Sequence, residues 1–233
     1  MTCKADFVYY KLEREYTIKP EEYIAYYVWL KYKDCFKVLV STILSQKSTD
    51  KSALKAYMNL ETNIGVNVIN LAESPLNSIE ESIKVSGLYK SKAKRIKEIS
   101  SILLNQYKGD INIILASPNA REVLLSFNGI GEKTADVVLL TCKGERVFPV
   151  DTHISRVTKR LGLVSISSKY REISQALMNY FSNYDFLKLH HLLIAHGRTV
   201  CKAKKPLCQI CVIKECCEYY SNRARKSEKS STT

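Results

Sequence analysis

The hydrophobic residues of this chain recur at three- and four-residue steps, which is the spacing of one face of an α-helix. Strand-like segments are scarce, and the short run 147–150 is broken by Pro149. We expect Ser117 and Pro118 to begin the helix that ends near Phe127, and Gly197 to end the last helix. The pattern predicts an all-α protein with helices at 21–31, 35–44, 50–60, 91–106, 121–126, 133–142, 154–161, 170–181 and 186–196.

Length, composition and charge narrow the class of protein. The 233 residues are 45% hydrophobic, which excludes wholesale disorder, and no apolar run reaches the roughly 20 residues that span a bilayer. The first residues lack the apolar core of a secretory signal, so we expect a cytoplasmic protein with no membrane partner. The formal charge of +13 attracts a polyanion such as nucleic acid, although a generally Lys-rich composition would also produce it.

Cysteines near the end of the chain form the strongest candidate metal site. Cys201, Cys208, Cys211 and Cys217 are separated by six, two and five residues. Thiolates suit an iron–sulfur cluster or a structural zinc. Zinc sites usually contain two closely spaced cysteine pairs, and the first gap is too long for one, so the spacing favours a single cubane cluster. The adjacent Cys216 could close the site in place of Cys217.

A glycine turn between two predicted helices is the second candidate site. Residues 127–135 read FNGIGEKTA, and we expect Gly129 and Gly131 to reverse the chain through positive φ before a new helix begins. The backbone amides of Gly129, Ile130 and Gly131 would then meet a phosphate oxygen at the positive end of the helix dipole. A turn that merely separates two helices is the alternative, and the net charge favours contact with a DNA backbone.

Two ionisable residues accompany this turn. Lys133 falls in the first turn of the second helix, where the helix dipole lowers the cost of generating the free amine that a nucleophile requires. A lysine that contacts phosphate is the alternative. Asp151 precedes a predicted helix and is interpreted either as its N-cap or as a carboxylate that takes a proton or stabilises positive charge on a sugar.

Other polar residues have less specific patterns. His190, His191 and His196 share one predicted helix, and we expect a structural role because a full thiolate ligand set lies nearby in the sequence. Arg156 and Arg160 stand four residues apart on one helix face. They would either contact phosphate or form a solvated surface.

The ordered combination of motifs resembles the endonuclease III family, helix–hairpin–helix DNA glycosylases with a terminal 4Fe–4S cluster. The resemblance covers about residues 25–217 and includes the glycine turn with its lysine, VDTH at 150–153, HHLLIAHGRTVC at 190–201 and the cysteine loop. The segments SGLYKSKA at 86–93 and LSQKSTD at 44–50 also match family motifs.

The resemblance implies a role for each matched residue. Lys133 would attack the deoxyribose C1′, release the damaged base and leave a Schiff base, with Asp151 assisting, and β-elimination would break the strand on the 3′ side. Leu88 would be the apolar wedge that enters the base stack when a nucleotide is flipped out; an ordinary core or turn leucine is the alternative. The family often has Gln where this chain has Lys47, so either Gln46 or Lys47 would fill the gap left by the flipped nucleotide.

The family's cluster ligands fall on four positions of this sequence, which favours the last cysteine over its neighbour Cys216. The implied ligands are Cys201, Cys208, Cys211 and Cys217. The loop they form would present Lys202, Lys204 and Lys205 to phosphate. A redox role of the cluster is also open.

The implied architecture has two helical lobes with a cleft between them. A six-helix lobe would span 31–145, a second lobe would join 1–30 to 146–220 and end in the cluster loop, and 221–233 would be a basic, disordered tail. We expect a monomeric, nucleoid-associated enzyme that acts on damaged double-stranded DNA. The function expected is removal of oxidised pyrimidines followed by strand cleavage. A mismatch or purine-damage glycosylase and a non-catalytic DNA-binding module are the alternatives.

Overall fold

The computed structural model describes residues 4–222, and every regular element in this range is helical, as the periodicity predicts. No helix among these residues is both long and apolar enough to cross a membrane. Of the expected basic tail, positions 223–233 lie outside the described residues. The helices are α1 (Ala5–Glu15), α2 (Ile24–Tyr32), α3 (Cys35–Ser45), α4 (Asp50–Asn63), α5 (Val68–Glu73), α6 (Leu76–Ser82), α7 (Tyr89–Gln106), α8 (Asn112–Leu115), α9 (Ala120–Ser126), α10 (Glu132–Lys143), α11 (Thr152–Leu161), α12 (Tyr170–Tyr180) and α13 (Phe186–Thr199).

Local sequence explains where several helices begin and end. The side chains of Asp34, Thr49 and Asp185 accept hydrogen bonds from backbone amides in the first turns of α3, α4 and α13. Gly144 and Gly162 follow α10 and α11 in the left-handed conformation, with φ of 63° and 84°. Because these signals depend on near neighbours, the sequence alone located these helices to within a few residues.

Residues 19–145 form one compact unit with α3 at its centre. The fully buried apolar side chains of α3 are Val38, Leu39, Val40, Ile43 and Leu44. Helices α2, α4, α7 and α10 pack against α3. Ser41 and Thr42 are also buried, and both donate hydrogen bonds to the Val38 carbonyl at 2.8 Å. Helix α3 is therefore the common support for α7 and for α10, the helix that follows the glycine turn.

The other compact unit contains the chain up to Ile18 and the chain from Arg146 onwards. Helix α13 packs against α1 and α11, and α11 also packs against α12. Phe148 is fully buried and meets Phe186 edge to face, with the ring centroids 5.5 Å apart. Helices α1 and α13, from opposite ends of the chain, therefore share one core.

This division differs from the expected one in its position and in its number of helices. The boundary falls after Ile18 and not after residue 30, because α2 packs against α3 and buries Ile24 and Val28. Residues 19–145, all of them described, contain nine α-helices, α2 to α10, where six were expected. Helices α5, α6 and α8 have four to seven residues, which is too short to reveal a helical period in the sequence.

Two expected helix-end signals have other roles. Helix α9 begins at Ala120, and the Ser117 hydroxyl instead accepts a hydrogen bond from the Asn119 amide at 3.2 Å, which forms a turn. Gly197 lies inside α13 and does not end it. A Cβ atom at Gly197 would lie 2.7 Å from the His153 Cβ, so the close packing of α11 against α13 requires a glycine there.

Candidate functional site

The hairpin between α9 and α10 contains two glycines with different tasks. Gly129 has a φ of +81°, in the left-handed region that favours glycine. Gly131 has a φ of −98° and a ψ of 175°, which is extended backbone, so the expectation of a positive φ is wrong for this residue. Gly131 is the exposed N-cap of α10, and no atom lies within 4 Å of the place where its Cβ would be. An approaching ligand therefore meets the first amides of α10 without a side chain in the way.

Lys133 is the second residue of α10, so it lies in the first turn, and it is half-buried. A buried ion pair fixes α10 against α9. The Asp136 carboxylate, 2% exposed, accepts hydrogen bonds from Arg121 Nε at 2.7 Å and from Arg121 Nη2 at 3.2 Å. Such a two-pronged pair sets both distance and orientation. Lys133 therefore projects from a helix whose position in the hairpin is rigidly defined.

Gln46 joins the turn after α3 to the hairpin. Its Nε2 donates to the Gly129 carbonyl and to the Thr134 hydroxyl, each at 3.2 Å. Its Oε1 accepts a hydrogen bond from Arg95 Nη1 at 3.1 Å. Both amide hydrogens and the amide oxygen are thus engaged by the protein itself.

Lys47 and Leu88 occupy the exposed tips of two neighbouring loops, 46–49 and 83–88. Both residues have left-handed backbones, with φ of 51° for Lys47 and 59° for Leu88. Leu88 is 60% exposed, so it is not a core residue. Non-glycine residues in this conformation are strained and are concentrated at functional sites. The loops meet so closely that a Cβ at Gly87 would lie 2.8 Å from the Lys47 carbonyl oxygen.

A buried lysine lies beneath these two loops. Lys92, on α7, has no exposed surface. Its Nζ donates to the Leu44 carbonyl at 2.8 Å, to Ser48 Oγ at 2.9 Å and to Ser86 Oγ at 2.6 Å. Burial, and secondarily the positive charge of Arg95, lowers the pKa of Lys92 to about 8. In the sequence, Lys92 lies within the segment 86–93, and no pattern there indicates a role for it.

Asp151 is the N-cap of α11 in the other compact unit. Its Oδ1 accepts a hydrogen bond from the Ile154 amide at 2.7 Å. The capping role expected from the sequence is therefore confirmed. The same hydrogen bond holds the carboxylate in one orientation, which is compatible with a chemical role.

The four candidate cysteine ligands are free thiols that line one cavity, together with apolar side chains that include Val157 and Ile213. Cys216 is disulfide-bonded and is not among the residues that line it. Burial raises the pKa of Cys211 to about 11 and also raises that of Cys217, so a thiolate at either position requires a cationic partner. Iron supplies such a partner.

The lining of this cavity tests whether a cluster fits it. Within residues 4–222, no three His, Cys, Asp or Glu side chains converge closely enough to hold a single metal ion. All four thiols line one cavity, and together they can supply one ligand to each iron of a cubane cluster. The residues present are therefore consistent with a 4Fe–4S cluster.

Arg156 and Arg160 donate hydrogen bonds that hold the cysteine loop against α11. This differs from the phosphate contact and from the solvated surface that were the two expectations for them. Arg156 donates to the carbonyl oxygens of Cys201 and Gly197, each at 2.8 Å. Arg160 donates to the Lys202 carbonyl at 2.7 Å and to Cys201 Sγ at 3.4 Å. Their charges also favour thiolates at this site. Within the loop, Lys202, Lys204 and Lys205 are exposed.

The expected structural role of the histidines fits their burial on α13. Burial lowers the pKa of His196 to about 4 and raises that of Tyr16 to about 12, so both stay neutral near pH 7. The Tyr16 hydroxyl lies 2.9 Å from His196 Nδ1 and can donate to it, which leaves Nε2 to carry the proton. That Nε2 lies 3.7 Å from Cys211 Sγ. The histidine thus joins α1 to the thiol site and does not form a separate metal site.

The predicted site residues fall into two groups. The hairpin, Gln46, Lys47, Leu88 and Lys133 belong to the compact unit 19–145, and Asp151 and the four thiols belong to the other unit. Sequence reasoning missed the residues that link the first group, Arg95 and Lys92. Their only sequence signal is the helical spacing of 88, 92 and 95, which places them on one face of α7.

Known proteins share this sequence over most of its length. A family model described as HhH-GPD superfamily base excision DNA repair protein matches residues 40–183. Endonuclease III of Sulfolobus acidocaldarius is 45% identical over 217 residues, which cover 93% of this chain and 96% of that protein. Endonuclease III of Escherichia coli is 34% identical over 190 residues, covering 82% and 86% of the two chains.

Solved structures share the fold. A non-covalent endonuclease III–DNA complex superposes with a TM-score of 0.78 at 28% identity, over 96% of this chain and 100% of that one. A trapped covalent endonuclease III–DNA intermediate gives a TM-score of 0.76 at 26% identity, over 96% and 100% of the two chains. A thermostable thymine-DNA glycosylase gives 0.77 at 19% identity, covering 94% and 95%, which is a likeness of fold alone.

Proposed function

The chain belongs to the HhH-GPD superfamily of base excision DNA repair proteins and is a DNA glycosylase similar to endonuclease III, and we propose that it removes oxidised pyrimidines and then cleaves the strand through a lysine Schiff base. The observation that carries this proposal is the position of Lys133. It stands in the first turn of α10, directly after the glycine hairpin that would bind the DNA backbone.

Lys133 supplies the nucleophile in this proposal. Its free amine attacks C1′ of the flipped nucleotide, and the bonding electrons of the glycosidic bond leave with the base, which takes up a proton. Opening of the C1′–O4′ bond then leaves a protonated imine between Lys133 and C1′. Loss of a proton from C2′ expels the 3′ phosphate, and the strand breaks on that side. A glycosylase without an amine at this position would stop after removing the base.

Asp151 and the loop tips have supporting roles. We assign to Asp151 the carboxylate that accepts a proton or stabilises positive charge on the sugar, because its N-cap hydrogen bond fixes its orientation. Leu88 is assigned as the wedge, because it is an exposed apolar side chain on a strained turn. Lys47 is assigned to fill the gap left by the flipped nucleotide, because the amide of Gln46 is already engaged by the hairpin.

The cysteine cavity is proposed to hold a 4Fe–4S cluster through Cys201, Cys208, Cys211 and Cys217. When bound, the cluster would fix the shape of the loop through these four thiolates. Its support in the structure is the set of four free thiols around one cavity and the two arginines beneath it. The exposed lysines of the loop then face solvent, where a phosphate group can reach them.

Borohydride trapping tests the proposal. The wild-type protein, incubated with duplex DNA that contains thymine glycol or an abasic site, is expected to form a covalent adduct when borohydride reduces the imine. The Lys133→Ala variant is expected to form none. Lys143→Ala is the matched control, because Lys143 is an exposed lysine at the opposite end of the same helix. It should trap at the wild-type level.

A panel of duplexes with different lesions distinguishes the proposed function from the alternative functions. Excision of oxidised pyrimidines with adduct formation supports it. Excision of mismatched thymine or damaged purines without an adduct would instead indicate a glycosylase that only removes bases. Strongly salt-dependent DNA binding with no excision would indicate a binding module.

A further inference from the structure

Lys92 is an unusual residue to find without exposed surface. A buried ammonium loses its hydration, and proteins normally compensate such a charge with a carboxylate. Among the described residues, the hydrogen-bond partners of Lys92 are one carbonyl and two hydroxyls, with no carboxylate. Three acceptors match the three N–H groups of the charged form. Something other than an ion pair therefore explains why a lysine occupies this position.

The end of α3 supplies part of the compensation. Leu44 is the second-last residue of α3, and carbonyls in the last turn of a helix have no partner within the helix. The negative end of the helix dipole also favours a cation there. Ser86 Oγ donates to the same Leu44 carbonyl at 3.1 Å, so the Ser48 hydroxyl is the donor in its 3.1 Å hydrogen bond with Ser86. The network is then fully satisfied.

The hydrogen-bond network around Lys92 connects the loops 46–49 and 83–88, whose exposed tips are Lys47 and Leu88. Ser48 belongs to the first loop and Ser86 to the second, and Lys92 donates to both. The Gly87 amide adds a further link by donating to Ser48 Oγ at 3.0 Å. Lys47 directly precedes Ser48, and Leu88 directly follows Gly87. Both Lys47 and Leu88 have left-handed backbones. Strained turns of this kind persist only where surrounding contacts hold them.

We propose that Lys92 is a positioning residue, whose buried ammonium fastens the 46–49 and 83–88 loops to each other and to the end of α3, so that Lys47 and Leu88 enter a duplex together at one fixed spacing. This inference rests on the proposed function, because insertion into the base stack is what the two tips would do. It assigns to Lys92 no contact with the substrate.

The same face of α7 continues the connection to the hairpin. Arg95 lies three residues after Lys92 and donates to Gln46, which in turn binds the Gly129 carbonyl. Lys92 and Arg95 lie three residues apart on α7, and Leu88 is the N-cap of that helix, so one rigid helix connects both loops and the hairpin. A small shift of Lys92 would therefore displace both tips relative to the hairpin.

Lys97 provides a matched control on the same helix. It is partly buried, and its Nζ donates to the carbonyls of Ala72 and Ser74, each at 2.7 Å. Lys97→Met therefore removes a lysine with two backbone partners but leaves both insertion loops untouched. Lys92→Met removes the charge and all three hydrogen bonds and leaves an unbranched side chain that is one atom shorter. Ser86→Ala removes one member of the network and retains the ammonium.

Insertion is measured with a duplex that carries a non-cleavable abasic-site analogue opposite 2-aminopurine. Its fluorescence rises when the base is unstacked, and the signal is read at saturating full-length protein. Excision of thymine glycol is measured in single turnovers. We expect Lys92→Met to lose most of the fluorescence rise and to slow excision by about 100-fold, since small misplacements cost this much. Ser86→Ala should change both in the same direction to a smaller degree, and Lys97→Met should match the wild type.

The outcomes are distinguishable. If the wild type forms a borohydride adduct and Lys92→Met retains the full fluorescence rise, the positioning role is refuted. It is also refuted if Lys97→Met loses the signal as strongly as Lys92→Met, because the loss would then reflect general destabilisation of α7. Should Lys92→Met not fold, an unchanged fluorescence rise in Ser86→Ala would overturn the proposal. Absence of an adduct with the wild type would instead count against the proposed function.

Discussion

Replacing each glycine of the hairpin by alanine separates their two roles. Gly129→Ala places a side chain on a residue with a φ of +81°, and a left-handed alanine costs about 1–2 kcal/mol. The new Cβ would also lie 2.2 Å from Arg95 Nε, so the arginine has to swing away from Gln46. Loss of that charged hydrogen bond adds about 1.5 kcal/mol. The total expected destabilisation is about 3 kcal/mol, the sum of the two contributions.

Gly131→Ala is the matched control within the same turn. Its backbone is extended and the space around a new Cβ is open, so its effect on stability should stay within about 0.5 kcal/mol. Thermal unfolding followed by circular dichroism measures both variants. For a protein of this size, 3 kcal/mol corresponds to a fall in Tm of about 6–12 °C. Equal Tm values for Gly129→Ala and Gly131→Ala would refute the assignment of strain and close packing to Gly129.

Further predictions concern the second unit. Arg156→Met removes the hydrogen bonds to the Cys201 and Gly197 carbonyls, so a chelator should remove the bound cluster faster, as measured by the loss of visible absorbance. Lys159→Met on the same helix is the control. Equal rates of cluster loss in the two variants would contradict the role of Arg156 in holding the loop. Burial lowers the pKa of His191 to about 4, so between pH 6.5 and 4 the unfolded chain binds a proton at this residue that the folded chain does not bind. The free energy of unfolding therefore decreases as pH falls through this range, by up to about 3 kcal/mol. Urea unfolding should show a shallower decline for His191→Gln, and an equally steep decline would count against this cause.

The helices that the sequence located correctly are those whose signals are local. Amphipathic periodicity extends over two or more turns in α3, α7 and α13, and it needs no knowledge of what lies opposite. The position of Lys133 in the first turn of α10 follows in the same way from its distance to the glycine turn. Periodicity left out α1, α5, α6 and α8. The last three have only four to seven residues, too few to show a helical period, whereas α1 has 11 residues and is not among the predicted helices.

The incorrect expectations share a different origin. The pattern predicts a helix end at Gly197, whereas a glycine is required there because His153, on another helix, packs against it. The compact unit starts at Lys19 because α2 finds its apolar partners on α3. Neither partner is visible from the residues that surround these positions in the sequence.

For several residues the sequence leaves two possible roles open, and long-range contacts in the structure narrow the choice. Gln46 and Lys47 are adjacent, and only the hairpin, more than eighty residues later, engages the first and leaves the second exposed. Arg156 and Arg160 have the spacing of a phosphate-binding or solvated face, yet their acceptors are carbonyls of the cysteine loop.

The chain by itself determined its helical class, a thiol spacing that suits a cluster and the position of a lysine in the first turn of α10, since each depends on residues a few positions apart. The tertiary structure decided which glycine is strained, which of Gln46 and Lys47 is left exposed and which groups surround the buried Lys92. Those outcomes depend on contacts between distant segments, and their free energies arise only when packing excludes water and leaves each polar group with a specific partner.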